Sequence, residues 1–278
     1  MKKITYLSII LATLLSSCLS SKKIKDLAYA DKGELNLLDV YRPNNKEKLH
    51  DVIVFIHGGS WDTGKKDTYW FLGRNFARKG KVFVAINYPL SPRAQYQEMG
   101  YDCAEAVKWI KENIKQYGGN PDKIFLMGHS AGGHLAALIN QDPKYFAKAG
   151  IKNPIKGVIL DDPFGLDIDQ YLKAQINTDD EYVPRFLKVF SRDERAWKDA
   201  SPMYKIDNIN NPYLMFVGGK SFPAIKMQTP IFEQKMKADH KEVSLEVIEG
   251  KKHIGMITQM VFGWNKLYDR IVEFTDKN

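Results

Sequence analysis

Cysteine is nearly absent from this chain. Only Cys18 and Cys103 occur in 278 residues, so at most one internal disulfide can form and the core must hold without a network of covalent staples. Glycine (20) and proline (12) are too few for a collagenous or low-complexity chain, which excludes fibres and extended disorder. After Leu15 no apolar run approaches the length of a membrane span, which excludes a multi-span membrane protein. No arginine-rich stripe interleaved with aromatics occurs. The net charge of +8 is scattered, suits anionic surfaces, and gives no reason to expect a nucleic-acid partner. What is present is ordinary globular usage, 44% hydrophobic and 27% charged, in a chain long enough to bury one sizeable core.

Met1-Lys2-Lys3 is a short basic start, and Ile4 to Leu15 is an apolar run with the length of a secretory signal's hydrophobic region. The run ends in Leu15-Ser16-Ser17-Cys18, which resembles the lipobox of bacterial lipoproteins: an aliphatic residue, two small residues, then the cysteine that takes the lipid. The resemblance implies that residues 1–17 are a removed signal peptide, that Cys18 is the lipidation site, and that 18–25 form a polar tether. The expected location is the bacterial cell envelope, lipid-anchored at the periplasmic face or the outer membrane, with the membrane reached through the N-terminal lipid. An ordinary signal peptide with an incidental cysteine is the alternative. Cys103 is then alone, in the helical pattern Tyr101 to Trp109, where a single thiol serves as a small buried apolar group.

Residues 26–278 read as one α/β domain. Residues 24 to 41 suggest an antiparallel edge hairpin turning at Asp31-Lys32-Gly33. Six short β-rich apolar runs follow, over residues 51–56, 81–87, 123–127, 155–160, 212–217 and 244–248, each patterned like a strand buried on both faces. Helical patterns alternate with them at about 67–79, 99–117, 131–141, 223–239 and 255–275, which predicts a mostly parallel, doubly wound sheet. Residues 165–205 are too long for a plain crossover and hold Tyr171, Tyr182, Phe186, Phe190 and Trp197. A cap or lid over a pocket at the strand ends is one reading, and a surface subdomain the other.

The sharpest motif is Gly128-His129-Ser130-Ala131-Gly132, a G-x-S-x-G placed after a strand and before a helix. A turn that sharp strains the serine backbone and leaves no room for side chains at 128 and 132, so the Ser130 hydroxyl is pushed out at the sheet edge as a nucleophile. The helix that follows aims its free N–H groups at the same point. A second motif, His57-Gly58-Gly59-Ser60-Trp61, follows the strand at 51–56. The amides of Gly58, Gly59 and Ala131 are the expected oxyanion hole, and His57 braces its loop.

Taken in order, HGGSW, then Asn87-Tyr88-Pro89-Leu90-Ser91-Pro92, then the helix ending in Trp109-Ile110, then Tyr117-Gly118-Gly119-Asn120-Pro121-Asp122 leading into GHSAGGHLAAL, resemble the hormone-sensitive-lipase-like branch of the α/β-hydrolases. The HGGxW form is similar to that of small bacterial esterases related to feruloyl esterase, and to kynurenine formamidase. The likeness runs over roughly residues 35 to 140 and resumes at Asp199-Ala200-Ser201-Pro202. It implies the α/β-hydrolase fold, a mostly parallel sheet of the eight-stranded type flanked by helices, with 165–205 as cap or lid. It also implies a serine carboxylesterase that hydrolyses small to medium esters through an acyl-enzyme on Ser130, with no metal and no cofactor. An arylformamidase or amidase is the enzymatic alternative.

Of the six histidines, His50 precedes a strand, His57 and His129 flank glycine loops, His134 lies in the helix after the serine and His240 precedes the last strand. His253 remains as general base, following the last strand where the family's catalytic histidine stands. The acid departs from the family pattern. Relatives carry an aspartate a few residues after the strand at 212–217, whereas this chain reads Gly218-Gly219-Lys220-Ser221-Phe222-Pro223, with no carboxylate. The preceding strand ends Leu160-Asp161-Asp162-Pro163, and some lipases of the superfamily place the acid there. Asp162 is the candidate, Asp161 the second, and loop capping the competing role for either. A scaffold without its acid, weakened in catalysis and kept for binding in the envelope, is the reading from another class.

Overall fold

The apolar runs form one eight-stranded sheet in the computed structural model, which describes residues 21–31, 33–45 and 48–278. The strands are β1 (Ser21–Ala28), β2 (Leu37–Pro43), β3 (His50–Ile56), β4 (Val82–Ile86), β5 (Gly119–His129), β6 (Ile155–Asp161), β7 (Tyr213–Gly218) and β8 (Val243–Ile248), in the order β1-β2-β4-β3-β5-β6-β7-β8. β1 and β2 pair antiparallel, β2 runs antiparallel to β4, and all other pairs are parallel. The central strands are buried on both faces, as their unbroken apolar sequences require. Along β3, Val52, Val54 and Ile56 enter one core while Ile53 and Phe55 enter the other, the period of two that a strand imposes.

Helices cover each face. Helices α1 (Trp70–Arg78), α9 (His253–Thr258) and α10 (Lys266–Lys277) pack on one side; α2 (Tyr96–Asn113), α3 (Ala131–Gln141) and α8 (Pro223–Ala238) on the other. The short α4 (Pro143–Lys148) joins the second layer, capped by Asp142. No helix among the described residues is long and apolar enough to cross a membrane. Cys103 is fully buried in α2, where desolvation pushes its thiol well above the ordinary range.

Three expectations need correction or completion. The tether expected over 18–25 is shorter, because Ser21–Lys25 already belong to β1, where Lys23 and Ile24 pair with Tyr41 and Val40. Cys18 and the signal segment lie outside the described residues. The single helix expected over 255–275 is two helices: Gly263 interrupts it, and the Asn265 side chain starts α10 by accepting the Leu267 amide at 2.9 Å. Residues 165–205 fold as three helices, α5 (Ile168–Gln175), α6 (Val183–Phe190) and α7 (Glu194–Asp199), above the carboxyl ends of the strands.

Candidate active site

The G-x-S-x-G turn joins β5 to α3. Ser130 is held at φ 56° and ψ −124°, a conformation that costs about 1–3 kcal/mol for a residue with a side chain. Neighbouring strands hold it there: the Ser130 amide donates to the Asp161 carbonyl at 3.2 Å, and the Phe164 amide to the Ser130 carbonyl at 3.2 Å. Close approach explains Gly132, since a methyl group there would stand 2.0 Å from the Ile56 carbonyl oxygen at the end of β3. Seven non-glycine residues among those described have positive φ, and four of them, Ser60, Trp61, Ser130 and Asp162, lie together at this sheet edge. Strain concentrated in one place marks it as functional.

His253 is the first residue of α9, after β8. Its Nε2 lies 2.8 Å from Ser130 Oγ and its Nδ1 2.6 Å from Asp162 Oδ2. Asp162 is fully buried, and two further donors are aimed at its carboxylate: the Gly218 amide at 2.8 Å to Oδ1, and the Ser221 hydroxyl to Oδ2. A carboxylate surrounded by donors puts the His253 proton on Nδ1, which leaves Nε2 free to accept from the serine. The imidazole is held from both sides, stacked on His129 at 4.8 Å and against Phe222 at 4.9 Å.

Asp162, and not Asp161, therefore reaches the histidine. Asp161 is the last residue of β6 and points into the opposite core; neither of its carboxylate oxygens has a hydrogen-bond partner, and burial plus the neighbouring Asp162 charge pushes its pKa well up. Ser221 and the Gly218 amide escape sequence reasoning, yet they stand in the stretch where relatives carry the acid. Here that stretch supplies donors to a carboxylate held by the next strand.

Of the three expected oxyanion donors, Gly59 and Ala131 border the cavity in front of Ser130, together with Ser60. Gly58 does not. It packs against the turn, where an added Cβ would stand 2.8 Å from the His129 carbonyl oxygen and 3.1 Å from Ser130 Cβ. Trp61 then fixes the loop. Its indole Nε1 donates to His134 Nδ1 at 3.2 Å, His134 Nε2 donates to the Ala200 carbonyl at 2.7 Å, and its ring meets Phe186 and Phe190 of α6 edge-on at 5.1 and 4.9 Å. Arg185 of α6 adds a two-pronged ion pair to Asp62 at 2.8 and 2.5 Å. The cavity so enclosed has a volume of about 880 Å³ and walls rich in aromatics, among them Tyr69, Phe164, Tyr171, Tyr182 and Phe186.

Three buried histidines surround this centre without belonging to the hydrogen-bonded chain. Burial lowers His57 to about 4, His129 to about 3 with help from the neighbouring His253, and His134 to about 4, from an ordinary 6.5. All three fold as neutral rings, so below pH 6.5 the unfolded chain takes up protons that the folded chain refuses, and stability falls with pH. Asp161 acts in the opposite sense, because its raised pKa favours the folded state in acid, but it is one group against three. The thermal midpoint should therefore drop by about 10–20 °C between pH 7 and pH 5, corresponding to roughly 5 kcal/mol. A midpoint that stays level across that range in a scanning calorimeter would contradict the neutral-histidine account.

Sheet order, strained turn and cavity together define an α/β-hydrolase. The chain belongs to the BD-FAE family, whose sequence profile matches residues 38–236. It is 26% identical over 273 residues to the isoprenylcysteine α-carbonyl methylesterase ICME of Arabidopsis thaliana, covering 91% of this chain and 62% of that one. It is 39% identical over 204 residues to the probable carboxylic ester hydrolase LipM of Mycobacterium tuberculosis, covering 69% of this chain and 47% of that one. The chain thus spans about three fifths or less of the length of these curated relatives. Among solved structures, esterase B from Lactobacillus Rhamnosis superposes with a TM-score of 0.78 at 17% identity, over 99% of this chain and 92% of that one, a likeness of fold.

Proposed function

We propose that the protein is a carboxylic ester hydrolase that works through an acyl-enzyme on Ser130. The reading rests on one observation above the others: an unbroken chain of hydrogen bonds from Asp162 through His253 to a strained serine bordering the cavity. The names of the relatives ICME and LipM agree with it.

Ser130 Oγ attacks the ester carbonyl carbon while His253 Nε2 takes its proton. The negative charge that forms on the carbonyl oxygen is met by the amides of Gly59 and Ala131, each worth about 2.7–4 kcal/mol when well aimed. His253, now an imidazolium, is stabilised by Asp162 and passes the proton to the departing alkoxide, which leaves an acyl group on Ser130. Water activated by the same histidine then hydrolyses it, releasing the acid. The cavity volume suits small to medium esters. With a carboxylate seated on His253 Nδ1, the scaffold-without-acid alternative loses its main ground.

Labelling tests the serine directly. A p-nitrophenyl alkylphosphonate should add to the purified protein one to one, with its mass on the peptide that contains Ser130 and no adduct on the Ser130→Ala variant. Label on another residue, or none on folded protein, would sink the assignment.

A further inference from the structure

Two segments that reach the cavity carry most of the large apolar side chains that the fold leaves in water. Of eleven exposed large hydrophobic residues among those described, seven lie on two segments, 222–231 and 254–264. Phe222, Met227 and Ile254 line the cavity and also face solvent at 38, 43 and 62% exposure. Ile231 continues the first bank one turn along α8; Phe262 and Trp264 continue the second, stacked on each other at 4.8 Å with Trp264 77% exposed.

These aromatics are displayed from a fixed backbone. The Asn75 amide donates to the Met260 and Val261 carbonyls at 3.3 Å each, and the Tyr268 hydroxyl to the Met260 carbonyl at 2.6 Å. The Asn265 amide closes the turn on the Phe262 carbonyl at 3.0 Å. An apolar surface held out in this way marks an interaction site. The charge carried by these two segments selects the partner: residues 218–231 and 249–266 contain Lys220, Lys226, Lys251, Lys252 and Lys266 against one acid, Glu249, while Asp180, which lines the cavity from another segment, accepts from the Tyr171 hydroxyl at 2.9 Å. None of the five lysines has a carboxylate partner among the described residues, whereas Lys23, Lys66, Lys81 and Lys144 all do.

We propose that these segments dock on an anionic lipid surface, with Phe262, Trp264 and Ile254 entering the headgroup region and the lysines contacting lipid phosphates. Exposed aromatics and aliphatics on segments that also carry unpaired lysines are what an interfacial contact requires. The cavity mouth then opens against the lipid. Docking does not depend on ester hydrolysis, and stands or falls separately from it. Ser21, the first described residue, pairs with Pro43 at the end of the sheet opposite the mouth.

The test uses the full chain with phosphatidylcholine vesicles carrying brominated acyl chains, with or without phosphatidylglycerol. The contribution of Trp264 is the emission of wild type less that of Trp264→Phe. It should shift to the blue and be quenched by bromine when phosphatidylglycerol is present, and Lys252→Gln and Lys266→Gln should each weaken the effect about fivefold. The far-UV circular dichroism and thermal midpoint of a Phe262→Ser, Trp264→Ser variant should match wild type, showing that the fold is intact, while its sedimentation with phosphatidylglycerol vesicles should be lost. The proposal is overturned if Trp264 stays unquenched while the protein sediments with vesicles, since another part would then be binding. Equal quenching without phosphatidylglycerol overturns the anionic selectivity. A blue shift that grows with protein concentration in the absence of lipid overturns it in favour of a second copy of the chain.

Discussion

Replacing Ser130 by alanine is expected to lower kcat/KM for p-nitrophenyl butyrate by about 10^5 while leaving the urea midpoint nearly unchanged. The two halves of this result have separate causes. Stability should hold because the Ser130 backbone is fixed by its neighbours, Asp161 and Phe164, and alanine suffers the same positive-φ strain as serine. Activity should collapse because Gly59, Ala131 and the cavity can still bind the ester and stabilise charge, but no atom remains to form the acyl-enzyme. A variant within about tenfold of wild type would place the chemistry on another residue. A wild type no faster than the variant, on several esters, would remove the hydrolase reading itself.

The second large effect concerns the acid. Asp162→Asn should cost about 10^4 in kcat with little change in KM. Three donors converge on this side chain, from Gly218, Ser221 and His253, and a carboxamide offers only one oxygen to accept them. Its NH2 group would face at least one of those donors, and the imidazole would relieve the clash by moving its proton to Nε2, where it blocks the serine. Ser221→Ala removes one hydrogen bond to the carboxylate and should cost about 10-fold to 100-fold. Asp161→Asn, one residue away, should leave kcat/KM within about threefold, since Asp161 touches none of the reacting groups. Steady-state kinetics on the three variants decides it: equal losses at 161 and 162 would mean that the two carboxylates act as a unit.

That comparison shows where sequence reading stops. The nucleophile turn was legible because its constraints are local: a strand, glycines at 128 and 132, and a helix start leave Ser130 one place to go. The acid was placed at Asp162 with Asp161 second, with no way to separate them firmly from the sequence alone. Which of Asp161 and Asp162 faces the site depends on where β6 ends, and a strand sends successive side chains to opposite faces. Asp161 is still in the strand and faces the core; Asp162, at φ 52°, has left it and turns to His253. Gly58, expected as a third donor, packs against Ser130 without bordering the cavity, beside the left-handed turn at Ser60 and Trp61. The joined helix over 255–275 failed because Val261, Phe262 and Trp264 imitate a buried helical stripe, while the fold leaves all three in water.

The first strand has a consequence for how copies of the molecule treat one another. Through the pairs from Ser21–Pro43 to Ala28–Leu37, β1 occupies the outer hydrogen-bonding edge of β2, a strand buried along nearly all its length. β1 in turn presents the exposed Lys22 and Lys25, charges that discourage another strand from adding on, while Lys23 is drawn back to the buried Asp39 at 2.7 Å. A protease cut near residue 28 would strip away both the cover and the lysines in one step. What is left is a bare apolar edge, open to the same edge of a neighbour and able to seed aggregation while the cavity on the far strands is still intact.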